Sequence, residues 1–131
     1  MVRTGRCQCG AISYEAEGEP IHHSLCHCTD CRKSAGAYVV GWALFPRDRV
    51  RITGEPVGYE SSPGATRRFC GRCGTGMFYL NEAIFPGKID IQAATFDDQD
   101  AAVPAARIQL ADAPAWLAQA GELPGFDRFP G

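Results

Sequence analysis

Long apolar segments are missing from this chain of 131 residues. No window approaches the roughly 18 consecutive apolar residues that a membrane-spanning helix needs. The first ten residues, MVRTGRCQCG, have no apolar stretch after their positive charges, so we expect no secretory signal peptide. These absences predict a cytoplasmic protein without a membrane partner, in a compartment where thiols stay reduced.

A strong excess of charge of one sign is also missing. The chain has 13 basic and 15 acidic residues, which give a net charge of -2 and a pI of about 5.9. No run of Lys and Arg forms the basic stripe that is typical of proteins that bind DNA or RNA. We therefore expect no nucleic-acid partner.

Stretches with helical periodicity are scarce, whereas turn-forming residues are abundant, with 15 Gly and 9 Pro. This composition favours many short strands over long helices, and we expect a mainly β fold in one domain over residues 1–131. One short C-terminal helix is predicted in DAPAWLAQAG, with Asp112 as its cap, Pro114 in its first turn and Gly121 at its end. Trp42 and Trp116 are expected to pack in the core.

Apolar or alternating stretches predict the strands. They are AISYEA, HHSLCHC, YVVGWALF, VRIT, PVGYES, TRRFC, GMFYL and KIDIQAAT. The segment RKSAG predicts a helical turn that ends at Gly36.

Seven cysteines stand out in this otherwise ordinary composition. In a reducing compartment they are better interpreted as metal ligands than as disulfides, and an odd number cannot all pair within one chain. They form a C-x-C pair, a C-x-C-x-x-C triplet and a C-x-x-C pair. In an extended segment the two sulfurs of C-x-C point to one face, and a C-x-x-C followed by Gly fits a tight metal-binding knuckle.

The first and last groups together supply a complete tetrahedral set of Cys7, Cys9, Cys70 and Cys73. Such a set predicts a structural zinc site that closes a loop of about sixty residues. Iron in a rubredoxin-like site remains an alternative, because tetrahedral thiolate suits both metals. A redox dithiol is disfavoured, since no βαβ pattern surrounds the C-x-x-C.

The middle group, Cys26, Cys28 and Cys31, has one sulfur too few for a closed site. Three protein ligands with one open position are the pattern of a catalytic zinc. Two alternatives stay open: a histidine (His22, His23 or His27) could close the site, or the triplet could be a reduced, metal-free cluster. Basic residues flank the cysteine groups and favour thiolates or an anionic ligand; they are Arg6, Arg32, Lys33, Arg67, Arg68 and Arg72.

Several segments resemble one known family. CQCGAISYE, LCHCTDCRKSAGA, the dipeptide GW and RRFCGRCGTGMFY are similar to the glutathione-dependent formaldehyde-activating (Gfa) enzymes and their centromere protein V relatives. The later IDIQAATFDD, IQLADAPAWL and LPGFDRFP resemble the tail of short bacterial members. The resemblance covers nearly the whole chain, and all seven cysteine positions match the family pattern.

The resemblance implies a small antiparallel β-tent built around a structural zinc at Cys7, Cys9, Cys70 and Cys73. It implies a second, catalytic zinc at Cys26, Cys28 and Cys31, and hence two Zn²⁺ per chain. The activity implied is that of a carbon–sulfur lyase that adds formaldehyde to glutathione and forms S-hydroxymethylglutathione. A small thiol such as glutathione would be the partner, with Arg32 and Lys33 as candidates to bind its carboxylates.

Two functions from other classes remain open. The chain could be a non-catalytic, zinc-stabilised binding module, or a thiol-based metal or redox sensor that uses the triplet. The residues do not assign a general acid or base, and this chain is shorter than the founding enzyme of the family. The thiol and the aldehyde that it uses are therefore left open.

Overall fold

The computed structural model describes residues 1–131, and its ten strands confirm a mainly β fold. The only α-helix, α1, spans Thr29–Ala35. Short 3₁₀ helices cover Arg47–Arg49, Ala93–Thr95, Leu110–Asp112 and Ala115–Glu122. The strands are β1 Val2–Arg6, β2 Ser13–Glu17, β3 His22–Cys26, β4 Val40–Pro46, β5 Val50–Thr53, β6 Val57–Ser62, β7 Ala65–Phe69, β8 Gly76–Asn81, β9 Lys88–Gln92 and β10 Ala106–Ile108.

The strands form two sheets. A three-stranded sheet has the order β1-β2-β5, and a seven-stranded sheet has the order β10-β3-β4-β9-β8-β7-β6. Every pair is antiparallel except β10 with β3, which is parallel and places the C-terminal part of the chain beside the cysteine triplet. The antiparallel architecture implied by the family resemblance is confirmed, with this one short exception.

The large sheet has two buried faces, which follow from the alternation of side chains along its strands. On β4, Ala43 and Phe45 point into the main core, whereas Val40 and Trp42 point to the opposite face. The main core fills the space between the two sheets and includes Ile12, Tyr14 and Ala16 on the small-sheet side and Phe45, Met77, Phe78, Leu80, Ile89 and Ile91 on the large-sheet side. Burial of each large apolar side chain contributes about 1.5–3 kcal/mol, so this face carries most of the hydrophobic stabilisation.

Helix α1 is short and has well-defined ends. Its N-cap is Cys28, whose sulfur accepts a hydrogen bond from the Cys31 N–H at 3.2 Å. It ends at Gly36, which adopts the left-handed conformation (φ 65°) that favours glycine, as the sequence predicted. The helix therefore turns the chain back immediately after β3 and brings three cysteines together.

The C-terminal part of the chain departs from two expectations. The predicted helix is a 3₁₀ helix that follows Pro114 and is interrupted at Gln119. Asp112 does not cap it; its carboxylate accepts a hydrogen bond from the Thr29 N–H at 3.1 Å and ties the tail to α1. The expectation that Trp116 packs in the core is wrong, because this side chain is 46% exposed and stacks edge-on against Tyr38.

Two strands, β1 and β10, were not expected from the sequence. β1 lies in the polar segment VRTGR, and β10 has only three residues after a loop rich in Asp and Ala. Both are placed by pairing with a strand that the sequence did predict, rather than by a pattern of their own. None of the helices is long and apolar enough to cross a membrane.

Candidate metal centres

The four-cysteine cluster joins two distant turns of the chain. Cys7 and Cys9 lie in the turn after β1, where the Gly10 N–H donates to the Cys7 carbonyl at 3.1 Å. Cys70 and Cys73 lie in the knuckle between β7 and β8, which Gly74 (φ 83°) closes by donating to the Cys70 carbonyl at 2.8 Å. The glycines permit these tight turns because a side chain would strain the backbone at positive φ.

The sulfur spacing of this cluster fits a tetrahedral ion. The Sγ atoms of Cys7 and Cys9, and those of Cys9 and Cys70, are each 3.7 Å apart, and all four sulfurs lie within 4.8 Å of one another. A tetrahedral ion with metal–sulfur bonds of about 2.3 Å holds its ligands about 3.8 Å apart. A disulfide requires about 2.05 Å, and all seven cysteines are free. The cluster could therefore hold a metal ion.

The backbone and threonine hydrogen bonds to these sulfurs favour thiolates. Backbone N–H groups of Ile12 and Cys73 donate to Cys7 and Cys70 at 3.3 and 3.4 Å. Hydrogen bonds from Thr75 lower the pKa of Cys73 to about 5. At Cys9, a backbone hydrogen bond from Ala11 favours the thiolate, but burial and the neighbouring sulfurs raise the pKa to about 11. Four sulfurs this close cannot all be ionised unless a cation lies between them, which fits the chemistry of a metal site.

The three-cysteine cluster lies on the opposite face of the large sheet. Cys26 ends β3, Cys28 caps α1 and Cys31 lies in its first turn, so one strand end and one helix start position all three sulfurs. Cys26 and Cys31 are 5% and 8% exposed, and their sulfurs are 3.8 Å apart. The three sulfurs lie within 4.8 Å of one another, again at a spacing that suits a single ion.

No histidine joins this cluster. The group of mutually close ligand atoms contains three sulfurs and no imidazole nitrogen. His22 lies on the same face of β3 as Cys26 and reaches the wall of the adjoining pocket. His23 faces the other side, where burial lowers its pKa. His27 is buried, and neither of its ring nitrogens has a hydrogen-bond partner.

Arg67 is the cation closest to the three-cysteine cluster. It comes from β7 and is buried, with Nη2 donating to Asp30 Oδ2 at 2.7 Å and to Cys31 Sγ at 3.7 Å. Its guanidinium also lies 5.0 Å from the centre of the Tyr79 ring. Burial raises the pKa of the Cys31 thiol, and the hydrogen bond from Arg67 acts in the opposite direction. Arg67 therefore offsets the negative charge that three thiolates and an ion would carry.

A pocket of about 280 Å³, here called the cysteine pocket, opens beside the three sulfurs. Its walls come from β3, α1, β4, β7, β8, β9 and the segments 84–85 and 108–109. Trp42 lies against the cluster and forms part of the wall, so its role extends beyond the core packing that the sequence predicted. Gln109, the only non-glycine residue with positive φ (58°), lies at the rim.

A larger pocket of about 540 Å³, here called the basic pocket, adjoins the first and shares Asp30, Trp42 and Arg67 with it. Of the two residues predicted to bind substrate, Lys33 lines this pocket. Arg32 lines neither pocket, and its Nη1 donates to the Asp112 carbonyl at 3.4 Å.

Tyr79 and Asp90 are among the polar residues of the cysteine pocket that sequence reasoning missed. Both lie within strands that the sequence did predict, GMFYL and KIDIQ. They occupy the positions between residues of the main core, so they face the pocket. A carboxyl in the middle of an apolar strand is the signal that could have revealed Asp90.

The chain is similar to known proteins in sequence and in fold. Residues 2–112 match the family model described as glutathione-dependent formaldehyde-activating enzyme. A Schizosaccharomyces pombe protein named "uncharacterized lyase" is 33% identical over 105 residues, which cover 72% of this chain and 74% of the relative. A "putative glutathione-dependent formaldehyde-activating enzyme" of Halomonas elongata is 26% identical over 91 residues, 62% of this chain and 57% of its own length.

A solved structure supports the fold. The crystal structure of a Rhodobacter sphaeroides protein superimposes with a TM-score of 0.59 at 20% identity, and the match covers 79% of this chain and 98% of the other. The match to the family model spans the cysteines of both clusters and every strand of the two sheets. The chain belongs to the glutathione-dependent formaldehyde-activating enzyme family.

Proposed function

We propose that this protein is a zinc-dependent carbon–sulfur lyase that activates a small thiol, glutathione or a close analogue, for reversible addition to formaldehyde or a related aldehyde. The observation that carries this proposal is the three-cysteine cluster, which has one sulfur fewer than a closed site and opens into a pocket. A closed structural site has no such opening. Family membership supports the reaction class.

In this proposal the four-cysteine cluster holds a structural Zn²⁺ and the three-cysteine cluster holds a catalytic Zn²⁺. A zinc ion at the latter site supplies a Lewis acid that lowers the pKa of a thiol at its open position. Cys26, Cys28 and Cys31 hold the ion from one side. The backbone of α1 holds two of these cysteines in place, because Cys28 is the N-cap of the helix and Cys31 lies in its first turn.

Arg67 and Trp42 prepare the pocket for a sulfur ligand. The guanidinium of Arg67 donates to Cys31 Sγ and offsets the charge that increases when a further thiolate enters. Trp42 forms an apolar wall against the cluster, which excludes water from the place where sulfur and aldehyde meet. Holding the two reactants together in this way supplies much of the acceleration that such an addition needs.

The basic pocket is suited to the charged part of the thiol. Lys33 and Arg68 add positive charge on its walls, and it adjoins the cysteine pocket through Arg67 and Trp42. A peptide thiol such as glutathione carries two carboxylates, which these cations can bind while the sulfur reaches the cysteines. Lys33 therefore remains a candidate substrate ligand, whereas Arg32 is engaged with the tail of the chain.

The proposal is tested by measuring metal content and thiol binding together. Native mass spectrometry should find two zinc ions per wild-type chain and one in the Cys28→Ser variant. In the cobalt-substituted protein, glutathione should change the sulfur-to-cobalt absorption, whereas S-methylglutathione, which has no thiol, should not. NMR exchange measurements should show that the wild-type protein accelerates the addition of formaldehyde to glutathione. One ion per folded wild-type chain, or no acceleration, would contradict the proposal.

A further inference from the structure

Asp90 is a buried carboxyl on the wall of the cysteine pocket. It lies in the middle of β9, where Leu44 of β4 and Tyr79 of β8 are its direct neighbours in the sheet. The residue is 5% exposed, and Oδ1 has no hydrogen-bond partner within the protein. A buried carboxyl oxygen without a partner costs folding free energy, so stability does not explain this residue.

The groups that face Asp90 leave its carboxyl without a dedicated cation. Leu44 is apolar, and the Tyr79 hydroxyl accepts a hydrogen bond from Asn81 at 3.2 Å. Arg67, one strand beyond Tyr79, donates to Asp30 and Cys31 instead. The titratable and charged groups on the surrounding elements are His22 on β3, Tyr79 on β8, Arg67 on β7, Lys88 on β9, and Asp30 with the three cysteines around α1.

Because nothing offsets the cost of desolvation, burial raises the pKa of Asp90 to about 7. At neutral pH the carboxyl is therefore present in both its protonated and its ionised form. This is the condition under which one group can both accept and donate a proton efficiently. The cysteine pocket is also lined by the apolar side chains of Ile84, Phe85 and Ile108.

We propose that Asp90 is a catalytic acid–base that transfers the proton when a thiol adds to an aldehyde in the cysteine pocket. This role rests on the proposed function. The Asp90 carboxylate takes the proton of the thiol, the sulfur lone pair forms the bond to the carbonyl carbon, and the π pair of the C=O bond moves to oxygen. That oxygen then takes the proton from Asp90, which returns to carboxylate. In the reverse direction the hydroxyl proton passes to Asp90 as the C–S bond breaks. No further reactant is needed.

The test compares Asp90→Asn, which keeps the shape but cannot transfer a proton, with Asp48→Asn, an exposed carboxyl that lines neither pocket. Asp90→Asn should lower kcat about 100-fold and remove the inflection near pH 7 from the pH profile. Glutathione binding to the cobalt-substituted variant should stay within about twofold of wild type. Asp48→Asn should match wild type in every measurement.

The outcomes separate the two proposals. An Asp90→Asn enzyme with wild-type kcat and pH profile would overturn the role of Asp90 and leave the proposed function standing. A wild-type protein that gives no acceleration would overturn both. A further measurement uses only the wild type, so it does not depend on whether the Asp90→Asn variant folds. Among aspartates labelled with ¹³C at the side-chain carboxyl, one resonance should titrate near pH 7, and its absence would overturn the inference.

Discussion

The two cysteine clusters belong to opposite faces of one sheet and differ by a single sulfur. In the four-cysteine cluster, Cys7 and Cys70 belong to the main core, and backbone N–H groups and a threonine contact the sulfurs. The three-cysteine cluster lines the cysteine pocket together with a buried arginine and a buried carboxyl, and the basic pocket adjoins it. The difference teaches that the number of sulfurs and the chemistry of the neighbours change together: backbone donors and core side chains surround the set of four, and charged or ionisable side chains line the pocket beside the set of three.

The largest effect should follow from breaking the complete set. Cys70→Ser removes a buried ligand that links the knuckle between β7 and β8 to the N-terminal turn. We expect the free energy of unfolding to fall by on the order of 4 kcal/mol or more, because loss of a structural metal belongs to the most damaging class of substitutions. Thermal unfolding by circular dichroism measures this change. A variant that is as stable as wild type would show that this cluster is not the structural one.

The matched change in the incomplete set should spare the fold. Cys28→Ser keeps a good N-cap for α1, since a serine oxygen can accept from the Cys31 N–H as the sulfur does. We expect stability within about 1 kcal/mol of wild type, but no saturable binding of glutathione by calorimetry. If Cys28→Ser unfolds as readily as Cys70→Ser, the division into structural and reactive clusters is wrong.

Asp90, on the wall of the cysteine pocket, should make the stability of the protein depend on pH. Its pKa is raised from 3.8 to about 7, so between these values the unfolded state releases a proton that the folded state keeps. The contribution of the neutral carboxyl to the free energy of unfolding is fully present below pH 3.8, and it is lost as the pH rises through 7. Relative to Asp90→Asn, wild type should lose up to about 1.4 kcal/mol per pH unit between pH 5 and 6.5.

Urea unfolding of both proteins over this range measures the difference, and effects of the cysteines cancel because both proteins contain all seven. An Asp97→Asn variant is a suitable control, because this carboxyl is exposed and accepts from Thr4. Parallel curves for wild type and Asp90→Asn would mean that Asp90 titrates as an ordinary carboxyl.

The smallest effect concerns the two neighbouring basic residues of α1. Lys33→Ala should raise KM for glutathione about two- to fivefold, because an exposed charge pair contributes less than about 1 kcal/mol. Arg32→Ala should leave KM unchanged, since this guanidinium contacts the Asp112 carbonyl outside both pockets. Steady-state kinetics at low salt measures both. Equal KM values for Lys33→Ala and Arg32→Ala would mean that Lys33, although it lines the basic pocket, contributes no more to glutathione binding than Arg32 does.

Local patterns predicted much of this molecule. The grouping of seven cysteines into sets of four and three corresponds to the two clusters in the structure, because cysteines two or three positions apart are kept close by the chain itself, although Cys7 and Cys9 lie in a turn and not in an extended segment. The strand VRIT and the turn at Gly36 were also predicted, since each depends on its own residues. The metal itself and its identity as zinc stay a prediction.

What could not be predicted depends on partners that are distant in the sequence. β10 forms through its pairing with β3, 82 residues earlier in the chain. Asp30 of α1 pairs with Arg67, which lies 37 residues later. Asp90 becomes unusual only when β4 and β8 enclose it. The sequence shows a carboxyl in an apolar strand, but its burial follows from the assembled sheet.

The separation of the cysteines along the chain has a consequence for the order in which the two clusters would bind the proposed metal ions. The three-cysteine cluster lies within six residues, whereas Cys9 and Cys70 are 61 positions apart. Closing the longer loop in an unfolded chain costs about 2 kcal/mol more. A chain that leaves the ribosome N-terminus first therefore presents the three-cysteine cluster early, and completes the four-cysteine cluster only after Cys73 has emerged. If both clusters bind zinc as proposed, loading should begin at the three-cysteine cluster and finish at the four-cysteine cluster.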